Sequence, residues 1–157
     1  MKTIAAIVFA AILASGCATE KMKEAPMPTN KQLRLVGTKM VEKMITDEDF
    51  LDTYSKIKRK RGKPTISFAY LEISAAIKDL GYSDKVLIPV RDALRVELRK
   101  TGMFSVKEVQ NSEELDYSLS GDLYMSEDRA HYYLMLRLIC PSEDNREIWN
   151  ELMDVLE

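Results

Sequence analysis

The chain has 157 residues, 46% hydrophobic and 31% charged, and its 25 acidic and 23 basic side chains leave a formal net charge of -2. That length and apolar content suit one domain with its own core, and the near-neutral balance gives no global attraction to nucleic acid. Two cysteines and a single histidine exclude a disulfide framework and leave little for a multi-ligand metal site.

At the leading end, Lys2 precedes an apolar run from Ile4 to Leu13 that closes on the small residues Ala14, Ser15 and Gly16. This is the layout of a secretory signal peptide. A membrane-spanning helix needs about 20 apolar residues, and the run ends well short of that, with Glu20, Lys21, Lys23 and Glu24 following at once. Cys17 stands directly after the small residues, and "ILASGCAT" resembles the lipobox of bacterial lipoproteins. The resemblance implies cleavage before Cys17, acylation of its thiol and of the new amino terminus, and, with Ala18 in place of Asp, passage to the outer membrane. Acyl chains contribute about 0.8 kcal/mol per buried methylene, so three of them anchor a domain without a spanning helix. The plainer alternative is an ordinary exported protein with Cys17 as a free thiol. Residues 1–16 are then the signal peptide; their removal leaves 141 residues, and the loss of Lys2 shifts the formal charge to -3, from 22 basic and 25 acidic side chains.

Residues 17–29 form the lipidated cysteine and a flexible tether, polar and broken by Pro26 and Pro28. Fully extended, such a tether reaches about 45 Å, so the domain works close to its membrane. The domain itself occupies 30–157. Thr29 or Asn30 can cap a helix over 31–45, in which Leu33, Val36, Met40, Val41 and Met44 make one apolar stripe. A second, short helix follows a cap at Thr46 or Asp47, with Phe50, Leu51 and Tyr54 on its apolar side.

The run "KIKRKRGKP" then places six basic residues between Lys56 and Lys63. Lys58, Arg59, Lys60 and Arg61 can serve as a patch for anionic polymers or lipid head groups, worth at most about 1 kcal/mol per charge near an anionic surface and weakened by salt. The competing reading is a solvated loop facing Asp47, Glu48, Asp49 and Asp52.

"TISFAYLEI" from Thr65 is β-branched, aromatic and mostly apolar on both faces, as a central strand covered on both sides would be. A turn of helix is expected around "SAAIKDL", then a helix from Asp84 or Lys85 to Thr101, with Leu87, Val90, Leu94 and Leu98 on one side, Pro89 near its start and Gly102 at its end. Beyond Gly102 the period changes to two. "MFSVKEV" reads as a strand, and "ELDYSLSGDLYMSE", "HYYLMLRLIC" and "EIWNELMDV" read as three more, joined by short polar turns into an antiparallel meander. The fold class is therefore α/β or α+β, with a mixed, largely antiparallel sheet of about four to five strands flanked by helices in a single compact domain.

In this order, "KPTISFAYLEI", "VLIPVRDALRVELRKTGMFSVKE", "LDYSLSGDLYM" and "HYYLMLRLICPSEDNREIWNE" resemble the penicillin-binding protein activator LpoB family, with Trp149 of "EIWN" the most telling residue. The resemblance implies an outer-membrane lipoprotein, similar in fold to the amino-terminal domain of TolB and to CsgG. Its domain would face the periplasm, dock onto a bifunctional, class A penicillin-binding protein and stimulate glycan polymerisation and peptide crosslinking. It also implies no cofactor, no metal, no catalytic residue and no nucleic-acid partner.

Enzyme chemistry finds little support in the residues. His131 reads as a histidine on a strand face, and Cys140, in phase with Leu134, Leu136 and Leu138, as a small buried hydrophobe. The six glycines are scattered and form no phosphate-binding loop. A third class is a CsgG/TolB-like scaffold in an outer-membrane or secretion complex, making contact through strand edges and Tyr132 or Tyr133.

Overall fold

The computed structural model describes residues 25–107 and 115–156. Cys17 and the last residues of "MFSVKEV" lie outside that range.

Helix α1, Asn30–Thr46, begins with a reciprocal cap: the Thr29 hydroxyl accepts from the Gln32 N–H, and Gln32 Oε1 accepts from the Thr29 N–H at 2.9 Å. Such a box satisfies two of the donors that a helix start leaves unpaired. Its buried stripe is Leu33, Val36, Gly37, Met40, Val41 and Met44, which contains the apolar spacing seen in the sequence. Asp47 interrupts the helix with an extended backbone and caps the next one, its carboxylate accepting from the Phe50 N–H at 2.8 Å. Helix α2, Glu48–Arg61, starts with acids and ends with Lys58, Arg59, Lys60 and Arg61, so both ends complement the helix dipole. It therefore contains most of the basic run, for which a solvated loop was one of the two readings. The helix stops at Gly62, whose φ of 82° suits a residue without a side chain.

Strand β1 (Thr65–Ile73) leads into the short helix α3 (Ala75–Asp79), a 3-10 turn over Asp84–Leu87 and helix α4 (Ile88–Lys100). A helix from Asp84 or Lys85, interrupted near its start by Pro89, was expected. The break comes because Pro89, with no N–H to donate, takes an early position in α4. The predicted apolar side is nonetheless buried: Leu87, Val90, Leu94 and Leu98. Strands β2 (Ser105–Lys107), β3 (Tyr117–Met125), β4 (Tyr132–Cys140) and β5 (Arg146–Asp154) complete a five-stranded open sheet in the order β2-β1-β3-β4-β5. β1 is parallel to both neighbours, whereas β3, β4 and β5 form the antiparallel meander. The architecture is a mixed α+β domain with helices against one sheet.

Register explains which side of the sheet they cover. Ile66 and Ile73 of β1 lie opposite Tyr117 and Leu123, and Leu119, Gly121 and Leu123 lie opposite Leu138, Leu136 and Leu134. That face is buried and joins the stripes of α1, α2 and α4 in one core. The other face is different. Ser118, Asp122, Tyr124, Tyr133, Met135, Arg137 and Ile139 are only half-buried and Leu152 is 47% exposed, with the small Ser67 and Ser120 hidden. Among the described residues no helix lies over it, so β1 is not covered on both sides as expected. Two irregularities adjust the register: an extra residue in β1 between Phe68 and Leu71, and one in β5 that leaves Ile148 and Trp149 buried in succession.

Close approach fixes the layers. Gly37 lets α1 reach α4, where a Cβ would stand 3.2 Å from that of Ala93. Four rings, Phe50, Tyr54, Phe104 and Tyr117, have neighbouring centroids 5.8 to 6.1 Å apart and join α2 to the start of β3. Aromatic pairs of this kind contribute about 1 kcal/mol each beyond burial.

Two predictions follow from this packing. At Gly121 a Cβ would press on the Leu136 side chain and stand 2.7 Å from the Met135 carbonyl oxygen; Gly121→Ala should lower stability by about 1–3 kcal/mol in urea unfolding. The buried Tyr117 hydroxyl has no hydrogen-bond partner among the described residues, and burial is the first cause that pushes its pKa up from 10.0. Because the folded protein keeps this proton while an unfolded chain loses it, stability holds below about pH 10 and falls as pH rises beyond it. Tyr117→Phe should make that alkaline decline shallower and change neutral-pH stability by no more than about 1 kcal/mol.

Candidate functional site

The strands give the domain two ends. At one, called here the near end, β3 finishes and β4 begins: Ala25 donates to the Arg129 carbonyl at 2.9 Å, the Tyr132 hydroxyl donates to the Ala25 carbonyl at 3.3 Å, and Val155 donates to the Tyr132 carbonyl at 2.8 Å. Pro28 is buried, and Ala25 and Met27 pack against the core. Residues 25–28, assigned to the tether by composition, are thus fixed to the domain. At the other, the far end, α2 finishes and β1 and β3 begin.

A single carboxylate organises the far end. Asp116, only 4% exposed, accepts from the Thr65 N–H at 2.8 Å, from the Thr65 hydroxyl at 3.1 Å and from an Arg61 guanidinium nitrogen at 3.2 Å. The Thr65 hydroxyl also accepts from the Asp116 N–H at 3.0 Å. Strand starts and helix end are tied through one buried charge that has both a cation and hydrogen bonds, which is what such burial requires.

The four basic residues singled out in the sequence all stand on the last turn of α2. Arg61 is held by Asp116, the Arg59 side chain donates to the Ser55 carbonyl at 3.2 Å, and Lys58 Nζ lies 5.7 Å above the Tyr54 ring. Lys60 is exposed beside them, and Lys63 follows the capping glycine. Of the acids expected to face this run, Asp52 pairs with Lys56 at 2.6 Å; that contact draws its carboxyl below the usual range. None of the hollows described below is lined by the basic turn.

The enzyme-like residues resolve as follows. His131 stands just before β4 rather than within it; its Nδ1 lies 2.7 Å from an Asp154 carboxylate oxygen and its ring stacks on Tyr133 at 6.1 Å. Ser126 Oγ bonds to Asp128 and to the His131 backbone, not to the imidazole. Cys140 is fully buried, 3.4 Å from the Ser142 hydroxyl, out of reach of a substrate in solution. Among the described residues no group of three or more His, Cys, Asp or Glu could hold a metal ion.

Sequence reasoning missed the open sheet face. There Tyr124 and Tyr133 stand 5.9 Å apart beside an Arg137–Asp122 ion pair. The alternation in "HYYLMLRLIC" carried the signal, since one phase is purely apolar and the other mixed. Hollows on the surface are shallow. One of about 510 Å³ lies among Lys39, Lys43, Thr46 and Asp154, and one of about 310 Å³ lies on the open face among Ser67, Tyr70, Ser118, Ile139 and Asn145.

No protein-family model matches the sequence, and no curated protein matches it. Solved structures similar to the chain include the LpoB C-terminal domain from Salmonella enterica, at 12% identity and a TM-score of 0.38 over 66% of this chain and 92% of that one. Another is the LpoB C-terminal domain from Escherichia coli, at 10% identity and a TM-score of 0.40 over 65% of this chain and 93% of that one. At these values neither assigns a role to any residue here.

The Asp116 network predicts an asymmetric response. Asp116→Ala strands the Thr65 N–H and hydroxyl and should lower stability by about 2–3 kcal/mol in chemical denaturation. Arg61→Ala removes the cation but leaves the Thr65 hydrogen bonds, and should cost less because the Arg61 side chain is 57% exposed and its attraction is screened by solvent.

Proposed function

We propose that this chain is a lipid-anchored binding module of the outer membrane, facing the periplasm, that activates a class A penicillin-binding protein in peptidoglycan synthesis. The observation that carries the reading is the ordered set of segments from "KPTISFAYLEI" to "EIWN", joined to a lipobox at Cys17. Those segments fall on β1, on α4 with β2, on β3 and on β4 with β5. With residues 25–28 seated on the domain, only seven residues, 18–24, separate Cys17 from it, a span of about 27 Å at full extension. The domain then stands close to its membrane, and a synthase must approach it or be bridged to it.

Activation of this kind is conformational: the module binds the active arrangement of the synthase more tightly than the resting one. A tenfold stimulation needs a difference of about 1.4 kcal/mol between the two affinities, which surface contacts supply without any bond-making by the module.

One feature favours a second reading, a CsgG/TolB-like scaffold. Among the described residues β5 is a nine-residue edge strand with no strand beyond it in the sheet, and edges of that length can take another chain's strand.

The test uses the full-length lipoprotein with the class A synthases of the same cell. Binding with a rise in glycan-strand output is expected from at least one. Loss of acylation in Cys17→Ser, with release from the membrane fraction, is expected alongside. Binding without any change in synthesis supports the scaffold, and turnover of a cell-wall substrate by the protein alone overturns both readings.

A further inference from the structure

The basic turn and the chain's point of attachment stand at opposite ends of the domain. Ala25 is bonded beside Tyr132, at the near end, whereas Arg61 is bonded to Asp116, just before the first residue of β3. β3 runs nine residues between those ends, about 30 Å at the usual rise per residue. Resting on the anchored reading above, this fixes an orientation. The seven-residue tether spans at most about 27 Å, so the near end stays beside the membrane, and the basic turn reaches it only if the domain lies on its side or, inverted, draws the tether taut. Such stretching opposes chain entropy. With the near end down and the long axis upright, the patch faces away from the lipid surface, although charge alone would suit anionic head groups.

The chemistry of the turn narrows the partner. Arg59 and Arg61 are held by the Ser55 carbonyl and the Asp116 carboxylate, and Lys58 lies over Tyr54, so several cations are partly ordered before any partner arrives. Guanidinium forks match carboxylates in a planar, two-point geometry. Among the described residues the turn lines none of the hollows given above, which suits an exposed acidic face rather than a small anion needing enclosure. We infer that the end of α2, through Lys58, Arg59, Lys60, Arg61 and Lys63, docks onto a carboxylate-rich surface of a partner protein on the side of the domain away from the anchoring membrane.

Lysine acylation read by mass spectrometry tests this with the full-length lipoprotein, first in detergent and then in vesicles of phosphatidylethanolamine and phosphatidylglycerol. Lys58, Lys60 and Lys63 should label equally in both. Adding poly-L-glutamate to the vesicles should slow their labelling by about threefold or more and leave Lys78 and Lys85 unaffected, with the protection lost near about 0.5 M NaCl. A K58E/K60E/K63E variant with an unchanged unfolding midpoint should lose poly-L-glutamate binding. Slower labelling in the vesicles alone overturns the inference in favour of the protein's own membrane. Absence of protection by poly-L-glutamate, or equal protection at Lys78 and Lys85, overturns it in favour of an ordinary solvated helix end. Failure of the protein to float with vesicles refutes the anchored reading, and the orientation with it.

Discussion

The Asp116 carboxylate is the constraint on which the far end of the domain depends. It brings together three chain segments remote in sequence, the last turn of α2, the first residue of β1 and the entry to β3. A buried carboxylate is tolerated only when its charge and lone pairs are matched, and here Thr65 and Arg61 match them. Because Arg61 is one of the basic residues, the bond that secures the strands also sets the position of the positive turn. Stability and surface chemistry are coupled at one residue.

A second constraint is one-sided burial. The helices pack on a single face of an open sheet, so β3 and β4 each alternate between a wholly apolar phase and a more polar one. Leu134, Leu136, Leu138 and Cys140 lie against the helices, while Tyr133, Met135, Arg137 and Ile139 are half-buried opposite them. Antiparallel strands permit this arrangement, since one face can remain in water. The uncovered face and the unpaired edge of β5 are accordingly the broad surfaces of the domain, and the basic turn is its concentrated charge.

Much of the architecture was legible in the residues. Periodicity located α1, α4 and the meander, because each buries one stripe or one phase, and Asp47 announced a new helix by its capping chemistry. What periodicity could not show was cover: "TISFAYLEI" looks apolar on both sides, but small Ser67 hides among its neighbours and Tyr70 turns outward beside the irregularity in β1. A solvated loop was one of the two readings of the basic run, since lysine and arginine continue no apolar stripe there. Both residues are nevertheless good helix formers, and at a helix end their charge favours continuation. The partner of Arg61 could not be inferred at all, since Asp116 lies 55 positions further along the chain.

The seating of Ala25 to Pro28 carries a last consequence. For a domain moored by its leading end, those four residues are stored leash. Peeling them away breaks the two hydrogen bonds at Ala25 and uncovers Pro28, and it lengthens the connection by about 14 Å. In a domain so moored, the stand-off height would be set by the hold of the β3–β4 turn on Ala25 as well as by the number of residues in the leash.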